Sequence, residues 1–169
     1  TLSLINQDFL DRTLVCSDYM KRFMVERGAD EAKIARAYLG VPTSDFRPLP
    51  SAERGRLRQL LGFAPHEVVI IDSARITEQK RPLLALDAIK QAAQLAPGYA
   101  IRFIMAGTGD LVNQVHSRIA ELGLEDTVTV LGHVSQNATK MLLDVGDIFF
   151  LPSRIEGIAL ALAEAMAMG

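Results

Sequence analysis

The chain has 169 residues, of which 49% are hydrophobic and 22% charged, a balance typical of a globular domain with a buried core. Its formal net charge of −2 offers no basic surplus to attract DNA, RNA or anionic lipid, so nucleic acid is not an expected partner. Cys16 is the single cysteine, which excludes an internal disulfide and a cysteine-built metal cluster.

The apolar runs of the sequence are all too short to span a bilayer, which takes roughly 20 residues. Residues 1–17 also lack the basic start and the long apolar core of a signal peptide. Because nothing requires an oxidising compartment, we expect a cytoplasmic setting. Peripheral membrane contact stays open for parts of the protein outside this chain.

The first fifty residues have a pattern of their own. They predict a strand at 13–17, a helix at 18–27 and a second strand at 34–38. Prolines at positions 42, 48 and 50 then indicate a linker, because proline and the residue before it resist helix formation. We therefore expect a domain boundary near residue 50.

From about residue 67 onward, short β-branched runs alternate with longer segments of helical period. The predicted core strands are at 68–71, 101–105, 128–131 and 148–151. The predicted helices are at 56–61, 82–95, 111–122, 139–145 and 158–168. This alternation is typical of βαβ units, so the predicted fold class is α/β, a Rossmann-like parallel sheet with helices on both faces.

The first candidate site is the loop after the strand at 68–71, where ligands of open α/β sheets bind. Arg75 offers a planar fork of donors and Lys80 a compact charge, so together they can neutralise a diphosphate. Cations at a helix N-terminus oppose the helix dipole unless an anion lies between, which supports this interpretation. The alternative is a set of solvated cations beside a helix start.

The second candidate is a pair of glutamates, Glu156 and Glu164, in a segment predicted to be largely helical. Eight residues of helix span about 12 Å, which matches two polyol groups joined by a diphosphate. One carboxylate would bind a transferred sugar and the other a ribose. The N–H groups of Gly157, Ile158 and Ala159 would face the phosphates between them. The alternative is two ordinary helix acids.

The third candidate, Gly107-Thr108-Gly109-Asp110, is weaker because Val112 replaces the third glycine of a dinucleotide fingerprint. We expect a tight turn there, with Asp110 as the cap of the next helix. The three histidines show no metal-ligand spacing, and His133 alone ends a core strand on the expected ligand face.

In this order, the segments resemble the C-terminal domain of retaining GT-B glycosyltransferases of the large fourth sequence family, group 1 type. Ala74-Arg75 with Lys80 resembles that family's Gly-Arg followed by Lys, and the stretch 106–109 resembles its second strand and loop. The stretch 130–134 looks like the strand that reaches the base. The stretch 147–169 is similar to its signature of Pro-Ser, Glu, seven residues, Glu and Ala-Met-Ala-x-Gly.

The resemblance implies two domains and a role for each candidate residue. Residues 1–50 would be the tail of an N-terminal domain with the interdomain linker, and residues 51–169 the donor-binding domain, truncated at its C-terminus. The implied catalytic residues are Glu156 at the transferred sugar and Arg75 and Lys80 at the diphosphate. The implied donor-binding residues are Glu164 at the ribose, Gly157, Ile158, Ala159 and Leu160 at the phosphates, and Val134 at the base.

The expected function is sugar transfer from a nucleotide-diphosphate sugar, with retention of configuration, to an unknown acceptor bound by an N-terminal domain missing from this chain. No cofactor and no metal are implied, and the chain alone is expected to be inactive. Ala74 and Ile158-Ala159 depart from the family's glycine-rich pattern, which narrows the approach to the donor sugar. The alternatives are a nucleotide-sugar epimerase, a phosphorylase of the same fold, or a noncatalytic nucleotide-binding module.

Overall fold

The computed structural model describes residue 6 and residues 10–169. The described chain forms two compact units. The first contains the residues up to Val41 together with Glu156–Leu160, and the second contains Pro42–Ile155 and Ala161–Gly169. The division of the whole protein into domains near residue 50 stays a prediction.

The first unit holds a small parallel sheet of two strands, β1 (Thr13–Val15) and β2 (Ile34–Arg36). Helix α1 (Asp18–Val25) connects them, and the Ser17 hydroxyl caps its N-terminus by accepting a hydrogen bond from Met20 N. All three predicted elements are confirmed, and each ends two residues before its predicted limit.

The second unit is built on a parallel sheet of four strands. They are β3 (Glu67–Ser73), β4 (Ala100–Ala106), β5 (Val128–Gly132) and β6 (Ile148–Phe149). The spatial order is β5-β4-β3-β6, and every neighbouring pair runs in parallel. The predicted Rossmann-like sheet is therefore confirmed.

Five helices accompany this sheet in the described part of the chain. They are α2 (Ser51–Leu60), α3 (Pro82–Leu95), α4 (Val112–Leu122), α5 (Gln136–Val145) and α6 (Leu160–Met168). α3 has its predicted limits. α5 begins three residues earlier than predicted because the Ser135 hydroxyl accepts a hydrogen bond from Ala138 N and caps it. No helix among these residues is both long and apolar enough to cross a membrane.

Both faces of the sheet are buried. Successive side chains of a strand point to opposite faces, so Phe103 and Met105 lie on one face and Ile104 on the other, all nearly inaccessible to solvent. Phe103 and Met105 form a core cluster with side chains of α3 and α4, such as Leu86 and Val115. α5 packs against β3, and α2 packs against α5.

Two arginines of α2 fix the start of β6. Arg58 Nη1 donates to Asp147 Oδ2 over 2.8 Å, and Arg54 Nη2 donates to Asp147 Oδ1 over 2.7 Å. Asp147 Oδ2 also accepts a hydrogen bond from Val69 N of β3. Burial raises the pKa of Asp147, but the hydrogen bonds from Arg58, Val69 and Arg54 together with the positive charge of Arg58 outweigh it, so the net shift of its pKa is downward.

Candidate functional site

The loops that follow β3 and β4 lie side by side. Ile76 N donates to Thr108 O over 3.0 Å, which joins the two backbones. A Cβ atom on Gly107 would overlap the carbonyl oxygen of Ala74, and one on Gly109 would overlap that of Ile76. The Gly-Thr-Gly segment is therefore explained by this close approach, because only glycine leaves room for the neighbouring backbone.

The prediction that Asp110 caps the next helix is wrong. Leu111 occupies the N-cap position of α4, and no side chain bonds to the N-terminus of that helix. Leu111 N instead donates to Ile76 O over 3.1 Å, so the loop after β3 satisfies this backbone group.

A cleft of about 230 Å³ opens at the carboxyl ends of β3, β4 and β5. Arg75, Gly107, His133 and Val134 all line it, as their positions after successive strands predict. Complete ligand sites typically exceed about 300 Å³, so the cleft has room for part of a ligand. The contacts that Arg75 and Val134 make with a donor stay predictions.

Arg75 and Lys80 differ in their surroundings. The Arg75 side chain is exposed, and its Nη2 donates to Gln79 Oε1 over 3.5 Å. Lys80 is half-buried and ends a short 3-10 helix, Glu78–Lys80. The next residue, Arg81, adopts a left-handed backbone conformation with φ of 52°. Three cations thus follow β3, and Arg75 and Arg81 are open to solvent while Lys80 is half-buried.

Asp72 is a site residue that the sequence analysis missed. It lies near the carboxyl end of β3, is only 5% exposed, and its Oδ1 has no hydrogen-bond partner among the described residues. Burial raises the pKa of Asp72 to about 7, against an opposing effect of the positive charge of Lys80. The sequence offered one signal for this residue, since an acid directly follows the apolar strand run 68–71, where a ligand-facing strand end is expected.

Gln79 is a second missed residue, and it connects two loops. Its backbone oxygen accepts a hydrogen bond from Arg154 N over 2.8 Å, and its Nε2 donates to Ile155 O over 2.9 Å. Gln79 therefore bonds to the residues immediately before Glu156 while its Oε1 accepts from Arg75.

The prediction of a helix from residue 158 is wrong at its start, because α6 begins at Leu160. Glu156 precedes that helix by four residues, so the predicted helical spacing of about 12 Å between it and Glu164 does not apply. Glycine is a poor helix former and isoleucine is β-branched, which disfavours a helix through Gly157 and Ile158.

The residues from Glu156 to Leu160 belong to the first unit. Within it, a Cβ atom added to Gly157 would lie 3.3 Å from the sulfur of Cys16, which shows how closely this segment approaches β1 and its following loop. The amides of Gly157, Ile158 and Ala159 thus precede α6, and of the predicted phosphate-facing residues only Leu160 lies within the helix.

Glu164 lies in α6 and is half-buried. Burial raises the pKa of its carboxyl group. Partial burial is compatible both with an ordinary helix acid and with the predicted ribose contact, so the role of Glu164 stays a prediction.

The sheet, its helices and the cleft at its carboxyl ends define an α/β domain of the Rossmann-like type found in GT-B enzymes. The model of the family described as glycosyl transferases group 1 matches residues 53–169, which is more than half of the chain. The chain belongs to the glycosyl transferases group 1 family.

Two known proteins that are similar to the chain are named as glycosyltransferases. WcaL of Escherichia coli, named for colanic acid biosynthesis, is 32% identical over 165 residues, or 94% of this chain and 38% of WcaL. The D-inositol 3-phosphate glycosyltransferase of Mycobacterium tuberculosis is 33% identical over 168 residues, or 96% of this chain and 33% of that protein. The chain thus spans less than half the length of these relatives.

Among solved structures, HepE of Anabaena in complex with UDP and glucose has a similar fold. Its TM-score is 0.79 at 20% sequence identity, over 93% of this chain and 42% of HepE. At that identity the likeness concerns the fold, and it agrees with the Rossmann-like sheet described above.

Proposed function

We propose that this chain is the donor-binding part of a glycosyltransferase that transfers a sugar from a nucleotide-diphosphate sugar with retention at the anomeric carbon. The observation that carries the proposal is the cleft at the carboxyl ends of β3, β4 and β5, in a chain of the glycosyl transferases group 1 family. The complex of HepE with UDP and glucose supports it, because that protein shares the fold.

In this proposal, Arg75 and Lys80 bind the diphosphate and neutralise the charge that it gains as it leaves. Such catalysis is mainly electrostatic, because fixed cations stabilise the leaving group while positive charge develops on the sugar. Val134 contacts the base from the cleft that it lines together with Arg75.

The two glutamates have separate roles in this proposal. Glu156 contacts the transferred sugar, where its charge favours a developing positive centre, and Glu164 accepts hydrogen bonds from the ribose. Leu160 contributes the N–H group of a helix start, while Gly157, Ile158 and Ala159 offer amides of the preceding loop.

The proposal includes no metal and no cofactor, since two cations and a helix start can supply the positive charge that the diphosphate requires. The acceptor is bound mainly by a second domain outside this chain, in keeping with the greater length of its relatives. The chain alone would then bind donor weakly and transfer no sugar.

The test uses the full-length protein with UDP-glucose, GDP-mannose and ADP-glucose. Calorimetry is expected to detect binding of at least one nucleotide sugar, and not of NAD. NMR of the product then reports the anomeric configuration, and retention is expected. An epimerised nucleotide sugar, a sugar phosphate formed from inorganic phosphate, or binding without any turnover would contradict the proposal, each in favour of a different alternative.

A further inference from the structure

Gln79 connects the loop that carries Arg75 with the segment that leads into Glu156. We propose that Gln79 is a positioning residue, which holds the Arg75 guanidinium and the residues before Glu156 in one arrangement. This inference rests on the proposed function, because it assigns Gln79 a task in the donor site.

Three hydrogen bonds carry the inference. Arg75 Nη2 donates to Gln79 Oε1 over 3.5 Å, and Gln79 Nε2 donates to Ile155 O over 2.9 Å. The backbone adds a third, since Arg154 N donates to Gln79 O over 2.8 Å. Gln79 therefore contacts both Arg75, predicted to bind the diphosphate, and the two residues that precede Glu156, predicted to bind the sugar.

The two partners determine which way the Gln79 amide points. A guanidinium can only donate and a backbone carbonyl can only accept, so the amide oxygen must face Arg75 and the amide nitrogen must face Ile155. Glutamate offers only acceptors and methionine offers no strong hydrogen bond, so neither can make both contacts.

A neutral partner also suits the predicted role of Arg75. An exposed arginine has many rotamers, and ordering it before the ligand arrives reduces the entropy lost on binding. A carboxylate would order it more strongly but would neutralise its charge, which the diphosphate needs. The long, neutral contact from Gln79 orients Arg75 and leaves its full charge for the phosphates.

The two side-chain hydrogen bonds of Gln79 can be removed by substitution without disrupting the fold. The bond from Arg154 N reaches the backbone oxygen of Gln79, so it survives any substitution of the side chain. Gln79 lies in the short 3-10 helix Glu78–Lys80 and not in the apolar core, so its variants are expected to melt within about 2 °C of the wild type.

The experiment compares Gln79→Met and Gln79→Glu in the full-length protein, with UDP-glucose, GDP-mannose and ADP-glucose as donors. Gln94→Met and Gln94→Glu, at an exposed position of α3, are the matched controls and should behave as wild type. Gln79→Met is expected to lower kcat at least tenfold, because misplacement by about 1 Å can cost a hundredfold. It should raise the donor KM less than about tenfold, because Arg75 is then no longer ordered before the donor binds.

Gln79→Glu is expected to raise the donor KM about tenfold or more, because the new carboxylate pairs with Arg75. In an Arg75→Ala background this increase should disappear, which a merely structural role of Gln79 would not produce. If the wild type turns over donor and both Gln79 variants match it, or lose stability and activity together, the inference is wrong. A wild type that binds none of the three donors overturns the proposed function itself.

Discussion

Two carboxylates at different ends of the four-stranded sheet have pKa values that are shifted in opposite directions. At the start of β6, Asp147 bonds to two arginines and a backbone amide, and its pKa is lowered. Near the carboxyl end of β3, Asp72 is more deeply buried, yet one of its oxygens has no partner among the described residues and its pKa is raised to about 7.

The difference separates a structural end of the sheet from a candidate functional end. Buried polar groups normally have hydrogen-bond partners, and a buried acid without them destabilises the fold. Groups with such perturbed pKa values are concentrated at ligand sites. Asp72 follows this pattern because it lies beside Lys80, in the strand that leads to Arg75.

The largest expected effect is a gain of stability in Asp72→Asn at alkaline pH. The native pKa of Asp72, about 7, exceeds the ordinary aspartate pKa of 3.8, so the wild-type protein loses stability as pH rises between these values. The full difference is on the order of 4 kcal/mol above pH 7, less the cost of burying the amide. Denaturant unfolding at pH 4 and pH 8 measures it.

The exposed Asp126 provides the control, since Asp126→Asn should leave stability unchanged at both pH values. If Asp72→Asn is no more stabilising at pH 8 than at pH 4, then Asp72 is not an unsatisfied acid. The contrast between the two ends of the sheet would then disappear.

Asp147→Ala should have the opposite sign. It removes the carboxylate from Arg58, whose side chain is only 8% exposed, and leaves that charge without its partner. Breaking a buried pair costs about 3–5 kcal/mol, and the one-third exposure of Asp147 places the expected loss near 2–3 kcal/mol. Denaturant unfolding at pH 7 measures this loss of stability. If Asp147→Ala loses less stability than Asp126→Ala, then Asp147 does not stabilise the start of β6.

Arg75→Ala and Lys80→Ala test the functional end directly. Each should weaken binding of a nucleoside diphosphate by about 1.5–3 kcal/mol, or tenfold and more, because each removes a charge-assisted contact with phosphate. Binding of the nucleoside should hardly change. Calorimetry with UDP and uridine makes the comparison. If the protein prefers another base, the nucleoside diphosphate and the nucleoside of that base are used instead.

Arg56, an exposed cation of α2, is the matched control, and Arg56→Ala should bind both ligands as the wild type does. An equal loss of nucleoside and diphosphate binding in Arg75→Ala would show that this loop is not a phosphate site.

Local signals predicted the elements well, and long-range contacts account for what was missed. Pro82 at the first helical position and a regular apolar period predicted α3 to the residue. Gln79 bonds to one residue four positions away, Arg75, and to two residues 75 and 76 positions away, Arg154 and Ile155. The sequence could indicate only the first of these contacts. Asp72 was missed because its burial depends on neighbours contributed by other elements.

The sequence predicted the residues around the cleft correctly but not the spacing of the two glutamates. The positions of Arg75 and His133 at one cleft followed from the rule that ligands of open α/β sheets bind at the carboxyl ends of strands. The position of Val134 followed from the family resemblance. The helical spacing of Glu156 and Glu164 failed because Gly157 lies between Glu156 and the helix start. A short glycine-containing loop leaves no periodic pattern from which its path can be predicted.

The smallest expected effect concerns Arg81, the one non-glycine residue with positive φ in the described ranges. This conformation costs an L-residue about 1–2 kcal/mol, and the following Pro82 restricts it further. Glycine normally destabilises relative to alanine by about 0.5–1 kcal/mol, through backbone entropy. At position 81 the order should reverse, so that Arg81→Gly is more stable than Arg81→Ala by about 0.5–1 kcal/mol.

The comparison of Arg81→Gly with Arg81→Ala isolates the backbone, because both variants lose the same charge and the same long side chain. Denaturant unfolding of the two proteins in parallel measures the difference. At the exposed position 94 of α3, where the backbone is helical, Gln94→Gly should be less stable than Gln94→Ala. If the glycine variant is less stable than the alanine variant at both positions, the loop after β3 stores no backbone strain. Asp72 would then be the destabilising feature identified at this end of the sheet.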